Sequence, residues 1–307
     1  MKHSLKIVFT LLIMFFITQL IGIAVINQYS PIQQQITDEQ GNVMNKTIYN
    51  LPYGMEPPED VTPGTTLVSI IIAIAIAVVF MLVLMRYKVE FFLRLWFLVV
   101  VALALAITIN AFLPKIPLAS LIALMIAIPI SLVKLFKRNI IIHNFTELLI
   151  YPGIAAIFVP LLNIWTVVLL LILISIYDIY AVWHAGFMQK MAQYQIKKLK
   201  FFTGFFVPYL GKKERALIKA SKKDEKLKNK KIKVNVAILG GGDVVFPIIL
   251  AGVVLNSRGL IQSLIISIGA TLALAFLFYI SKKGKFYPAM PFITTGCLIA
   301  LGIALLI

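Results

Sequence analysis

Ala237-Ile238-Leu239-Gly240-Gly241-Gly242-Asp243-Val244-Val245-Phe246-Pro247-Ile248-Ile249-Leu250 is an apolar run interrupted by three glycines and one carboxylic acid. A second acid, Asp178, stands in an equally apolar run, Leu171-Ile172-Leu173-Ile174-Ser175-Ile176-Tyr177-Asp178-Ile179-Tyr180-Ala181-Val182-Trp183. A carboxylate at the centre of a membrane-spanning helix costs about 2.5–3.5 kcal/mol on insertion scales, so an acid kept there marks function by default. The other ten of the 12 acidic residues fall elsewhere: five in a polar segment (Asp38, Glu39, Glu56, Glu59, Asp60), three in a basic one (Glu214, Asp224, Glu225), and Glu90 and Glu147 near the ends of apolar runs. No Lys or Arg stands in the middle of any run to neutralise Asp178 or Asp243.

The surrounding sequence makes these runs membrane spans. Of 307 residues, 61% are hydrophobic and 13% charged, against roughly half and a quarter in a soluble domain. A bilayer core needs about 20 apolar helical residues, and such runs lie near 5–26, 66–85, 95–113, 118–136, 145–160, 163–186, 234–254, 260–281 and 287–307. The expected fold is therefore all-α and polytopic, with nine transmembrane helices. The fifth run is the weakest, interrupted by Pro152-Gly153 and carrying Glu147. The first is longer than the ~7–15 residues of a signal-peptide core and is followed by no small-x-small cleavage site, so it reads as an uncleaved span. Three units follow: 1–186 with six spans, 187–233 as a basic loop, and 234–307 with three spans.

The formal charge of +17 does not imply nucleic acid, because the basic residues sit between spans. With the N-terminus inside, 26 of the 29 Lys and Arg residues fall on the inner side and only Lys46, Lys115 and Arg258 outside. The positive-inside rule then predicts a cytosolic N-terminus and an external C-terminus, in the plasma membrane if the source is prokaryotic. The basic stretch Lys212–Lys233 reads as a solvated arm attracted to anionic headgroups. Phe201-Phe202-Thr203-Gly204-Phe205-Phe206-Val207-Pro208 is too short to span and reads as an interfacial or re-entrant segment. The outer segment 27–65 is long enough for a small hairpin or cap, or is a solvated connector; its Asn45-Lys46-Thr47 sequon carries little weight. Cys297 has no disulfide partner and reads as a packing residue.

Measured from the cytosolic ends of their spans, Asp178 lies about 9 Å deep and Asp243 about 13 Å at 1.5 Å per residue. Adjacent antiparallel helices would bring the two carboxyls face to face. Two carboxyls in contact share a proton, so one can activate water while the other protonates a scissile carbonyl and its leaving amine. They titrate as a pair, which leaves neither permanently acid or base. Gly240-Gly241-Gly242 permits a locally opened helix and close approach of another backbone, although glycines alone equally suit an ordinary small-residue helix contact.

Tyr177-Asp178, Gly240-Gly241-Gly242-Asp243 and Pro288-Ala289-Met290-Pro291 resemble, in order, the YD, GxGD and PAL motifs of presenilin and signal peptide peptidase. The resemblance covers about 175–295 and implies a presenilin-like fold. It further implies an intramembrane aspartyl endopeptidase without cofactor or metal, catalysed by Asp178 and Asp243, whose substrates are single-span helices. Tyr177, the three glycines and Pro288, Ala289, Met290 and Pro291 would then position substrate. Met290 stands where the family usually has Leu, a volume-conserving exchange. The predicted orientation is that of presenilin, the inverse of signal peptide peptidase, and the compact chain resembles prokaryotic, archaeal members. An extended substrate would pair with protein backbone by strand addition near Pro288 and Pro291.

Other protease chemistries find no motif: there is no His-Glu-x-x-His and no Gly-x-Ser-x-Gly. His143 and Glu147 share i,i+4 spacing at a membrane surface and read as incidental, and His184 as interfacial. The rival from another class is a proton- or cation-coupled transporter or channel, since intramembrane aspartates and glycine-broken helices also build carrier sites. Against it, both aspartates lie toward one face and no internal repeat is evident. Oligomeric state and accessory subunits are not legible.

Overall fold

The computed structural model describes residues 5–37, 43–55, 63–87, 90–137, 139–185, 203–209, 235–281 and 287–307. The basic arm Lys212–Lys233 and the acidic residues of the outer segment lie outside them. Helix α1 (Leu5–Gln28) leads into a hairpin of β1 (Ile32–Thr37) and β2 (Val43–Ile48), paired antiparallel from Ile32 with Ile48 to Thr37 with Val43. The hairpin expectation for this segment therefore holds over a connector.

Helices α2 (Pro63–Arg86), α3 (Glu90–Phe112), α4 (Ala119–Phe136), α5 (Ile140–Phe158) and α6 (Ile164–Tyr180) follow. After α6 come a π-turn at Ala181–Ala185, strand β3 (Gly204–Tyr209), strand β4 (Asn235–Gly240), and helices α7 (Gly241–Arg258), α8 (Leu260–Ile280) and α9 (Met290–Leu306). Nine α-helices thus stand among the described residues, and seven of them are both long and apolar enough to cross a membrane. Their outer faces carry large apolar side chains such as Ile76, Trp165, Leu272 and Ile299, a surface that only lipid solvates favourably. The molecule is an integral multi-pass membrane protein.

Local chemistry sets the helix ends. Asn139 caps α5 through the amides of Ile141 and Ile142, at 2.9 and 3.4 Å. Asn163 and Thr166 form a reciprocal capping box on α6. Gly259, at φ 104°, makes the sharp turn between α7 and α8. The fifth span, weakest in sequence, continues through Pro152. Proline removes one rung of the ladder, and in that turn the Thr108 hydroxyl of α3 donates to the Leu149 carbonyl at 2.6 Å, as neighbouring helices do for loosened spans. Gly153 lets α5 lie directly on the α3 backbone at Ala104.

The core is built around α1, which packs on α5, α7 and α8. It runs parallel to α7: Gln19 meets Val244, Gly22 meets Ile248 and Ile26 meets Gly252. A second close crossing joins α8 and α9 through Gly269, Ala273, Gly296 and Ala300, a small-residue contact of the kind that holds membrane helices together.

One expected boundary is corrected here, and one segment gains a defined structure. The seventh span does not begin at 234: residues 235–240 form β4, and the helix starts at Gly241. Within the Phe-rich segment, too short to span, Gly204–Tyr209 is the strand that pairs with β4. The physical reason is shared. Alternation places Phe205, Ala237 and Leu239 on one buried face, which period-two pairing satisfies and a helix would not.

Candidate active site

Asp178 stands in the last turn of α6 and Asp243 in the first turn of α7. The Asp178 carboxylate is buried and accepts the Met290 amide at 3.1 Å. Ala289 and Met290 open α9, so their amides have no partner within the helix, and a carboxylate is the group a helix N-terminus favours. One turn away, Ser175 bonds Thr294 at 2.7 Å and keeps α6 and α9 in antiparallel register. The Pro-Ala-Met-Pro segment therefore reaches Asp178 through backbone. This explains why Met serves where Leu is usual: the contact is made by N–H and the side chain is buried packing.

Asp243 is at the third helical position of α7 and turns back toward Gly240. A Cβ at Gly240 would lie 3.1 Å from Asp243 Oδ2. At Gly241 a Cβ would lie 2.8 Å from the Tyr151 ring, whereas at Gly242 the nearest atom is on Phe246 at 3.7 Å. The three glycines thus do different work. Gly240 admits the carboxylate, Gly241 admits Tyr151, and Gly242 is exposed. What approaches closely is a side chain and a carboxylate, where the sequence suggested another backbone. Asp178 and Asp243 are near enough to feel each other's charge. The α7 backbone is supported from α1 by Gln19, whose Nε2 donates to the Val244 carbonyl at 3.1 Å in a buried setting.

A cavity of about 330 Å³ opens beside Gly241 and Gly242, walled by Phe97, Tyr151, Leu170 and Phe246 among other apolar groups, with Glu147 the one charged residue among the described lining residues. Tyr177 is half exposed, pointing away from buried Asp178, as neighbours about 100° apart on a helix must. Pro288 is buried and Pro291 partly so.

Sequence reasoning missed the polar face of α5. Glu147, expected at a membrane surface, is buried and pairs with Lys134 of α4 at 2.6 Å, with both side chains almost fully enclosed. Lys134 also donates to Thr146 at 3.0 Å. His143 joins the same cluster: its Nε2 lies 3.6 Å from Glu147 and 2.8 Å from the Gly204 carbonyl. A carbonyl can only accept, so Nε2 carries the proton. The signal was present in sequence as polar residues 143, 144, 146 and 147 in an otherwise apolar run. Their partners on β3 and α4 were not. The π-turn after Asp178, a feature frequent at functional sites, had no sequence signal.

Residues 43–307 match the family described as signal-peptide peptidase, presenilin aspartyl protease. Two solved structures of a presenilin family intramembrane aspartate protease share the fold. The one in space group C222 is 16% identical over 95% of this chain and 94% of its own, with a TM-score of 0.56. The one in space group P2 is 17% identical over 97% and 96%, with a TM-score of 0.57. No curated protein matches the sequence. The carrier reading finds no support in either comparison. With nine helices, two acids at facing helix ends and a family match over most of its length, the chain belongs to the signal-peptide peptidase and presenilin family and is an intramembrane aspartyl protease.

Proposed function

We propose that Asp178 and Asp243 are the catalytic pair and that the substrates are single membrane-spanning helices, cut within the membrane. The observation that carries this reading is their convergence from α6 and α7 on one site, Asp178 held by the Met290 amide and Asp243 folded back against Gly240. Water placed between the carboxyls is deprotonated by one and attacks the scissile carbonyl. The other protonates the carbonyl oxygen, and the proton taken from water is then passed to the departing amine as the carbon–nitrogen bond breaks. A helical substrate shields its peptide bonds, so it must first be drawn out. Strand β4 leads directly into Asp243, and an extended segment added along it would deliver a peptide bond to the acids. The apolar cavity beside Gly241 and Gly242 suits a large apolar substrate side chain. Tyr177 stands as a substrate-orienting residue only if its hydroxyl turns inward on binding. From the charge distribution, we place the catalytic end, the N-terminus and the basic arm in the cytosol, with the arm on anionic headgroups.

The test is cleavage of a tagged single-span substrate by purified protein, beside Asp178→Asn and Asp243→Asn. Each variant is expected to lose at least about 10³-fold in kcat while keeping its fold. Wild-type activity that survives either substitution overturns the pair. A preparation that neither cleaves nor binds an aspartyl-protease transition-state analogue overturns the proteolytic assignment.

A further inference from the structure

The two-stranded sheet before Asp243 has two outer edges, and they are not alike. In an antiparallel pair, alternate residues turn their N–H and C=O toward the partner or away from it. Phe206 turns away from β4, because the Asn144 side chain takes both its groups. Asn144 Nδ2 donates to the Phe206 carbonyl at 2.7 Å, and the Phe206 amide donates to Asn144 Oδ1 at 2.9 Å. The carboxamide thus imitates a neighbouring strand. The same edge carries Gly204, whose carbonyl accepts from His143 at 2.8 Å. It also carries Pro208, which has no N–H and is tolerated where no ladder bond is due. At Phe206 both outward groups are taken, at Gly204 the carbonyl is taken, and Pro208 offers no donor.

The register pairs Phe206 with Ile238, Gly204 with Gly240 and Pro208 with Val236, so those residues of β4 also point their backbone groups outward. Gly240 does so beside the Asp243 carboxylate. Val236 and Ile238 lie upstream along this same edge. An extended chain added there runs toward the acid, whereas one added to β3 would lie on the far side of the sheet.

We propose that Asn144, with His143, is a positioning residue that closes the β3 edge, so that substrate pairs only with β4 and in a single register. Asn144 touches no reacting atom and acts through β3. The buried Lys134–Glu147 pair fixes the face of α5 that presents it. This inference rests on the proteolytic reading and on strand addition.

Purified wild type and Asn144→Leu are compared on the tagged single-span substrate, with product ends located by mass spectrometry. In Asn144→Leu, kcat should fall at least about tenfold with KM altered less than about threefold. Product ends should spread by about two residues either way, since slips that keep side chains on their faces come in twos. Unchanged rate and unchanged ends overturn the inference while leaving wild-type proteolysis intact, and wild type that fails to cleave overturns the parent reading instead. If Asn144→Leu does not fold, amide exchange in Asp243→Asn decides. The Phe206 amide should be slow without substrate, and substrate should newly slow Ile238. Protection that appears at Phe206 only with substrate, or fails to appear at Ile238, overturns the proposal.

Discussion

At the scale of single residues, the glycines before Asp243 show how one motif divides into separate requirements. Gly241→Ala drives a methyl into Tyr151, at 2.8 Å from its ring, and a clash of this kind typically costs about 1–3 kcal/mol. Gly242→Ala meets only Phe246 at 3.7 Å and gains up to about 1 kcal/mol of helix propensity. Thermal melting in detergent should therefore fall for the first variant and hold or rise for the second. Equal losses would mean that the Tyr151 contact does not set the requirement. Asp178 and Asp243 were legible individually, because an acid in an apolar run is costly and conspicuous. The amide of Met290 was not, since a backbone donor has no residue identity and appears only when a helix end is aimed at a partner.

At the scale of elements, the Lys134–Glu147 pair joins α4 to α5 at 2.6 Å within the protein. Removing one member of a buried pair leaves a lone charge and costs about 3–5 kcal/mol, while removing both is often nearly neutral. Lys134→Met should melt well below wild type, and Lys134→Met with Glu147→Gln should recover most of the loss. A double variant as unstable as the single one would show that the pair is not the source. Much of the nine-helix layout was legible from hydropathy, because every span must satisfy the same length and polarity rule. The strands were not. Apolar residues 235–240 satisfy a span's hydropathy as well as a buried strand's, and short apolar runs do not distinguish the two. Pairing with Gly204–Tyr209 decides it, and that partner lies some 25 residues upstream across the basic loop.

At the scale of the whole molecule, the proposed orientation puts Lys115 outside and Tyr209 in the cytosol. The sole native cysteine, Cys297, is buried, so single introduced cysteines report against a low background. In intact cells, Lys115→Cys should react with a membrane-impermeant maleimide and Tyr209→Cys should react only after permeabilisation. The reverse pattern would invert the molecule and place catalysis at the external face. The order of apolar and polar residues along the chain determined that it lives in lipid and how many helices it forms, and it singled out Asp178 and Asp243 but not the third buried acid, Glu147. Those are properties of each segment against its solvent, and each segment carries them by itself. Only the tertiary structure decided that a strand precedes Asp243, that α9 presents the Met290 amide to Asp178, and that α5 closes one edge of the sheet. Each of these is a relation between segments far apart in sequence, fixed by which buried hydrogen-bonding groups find one another when the helices pack.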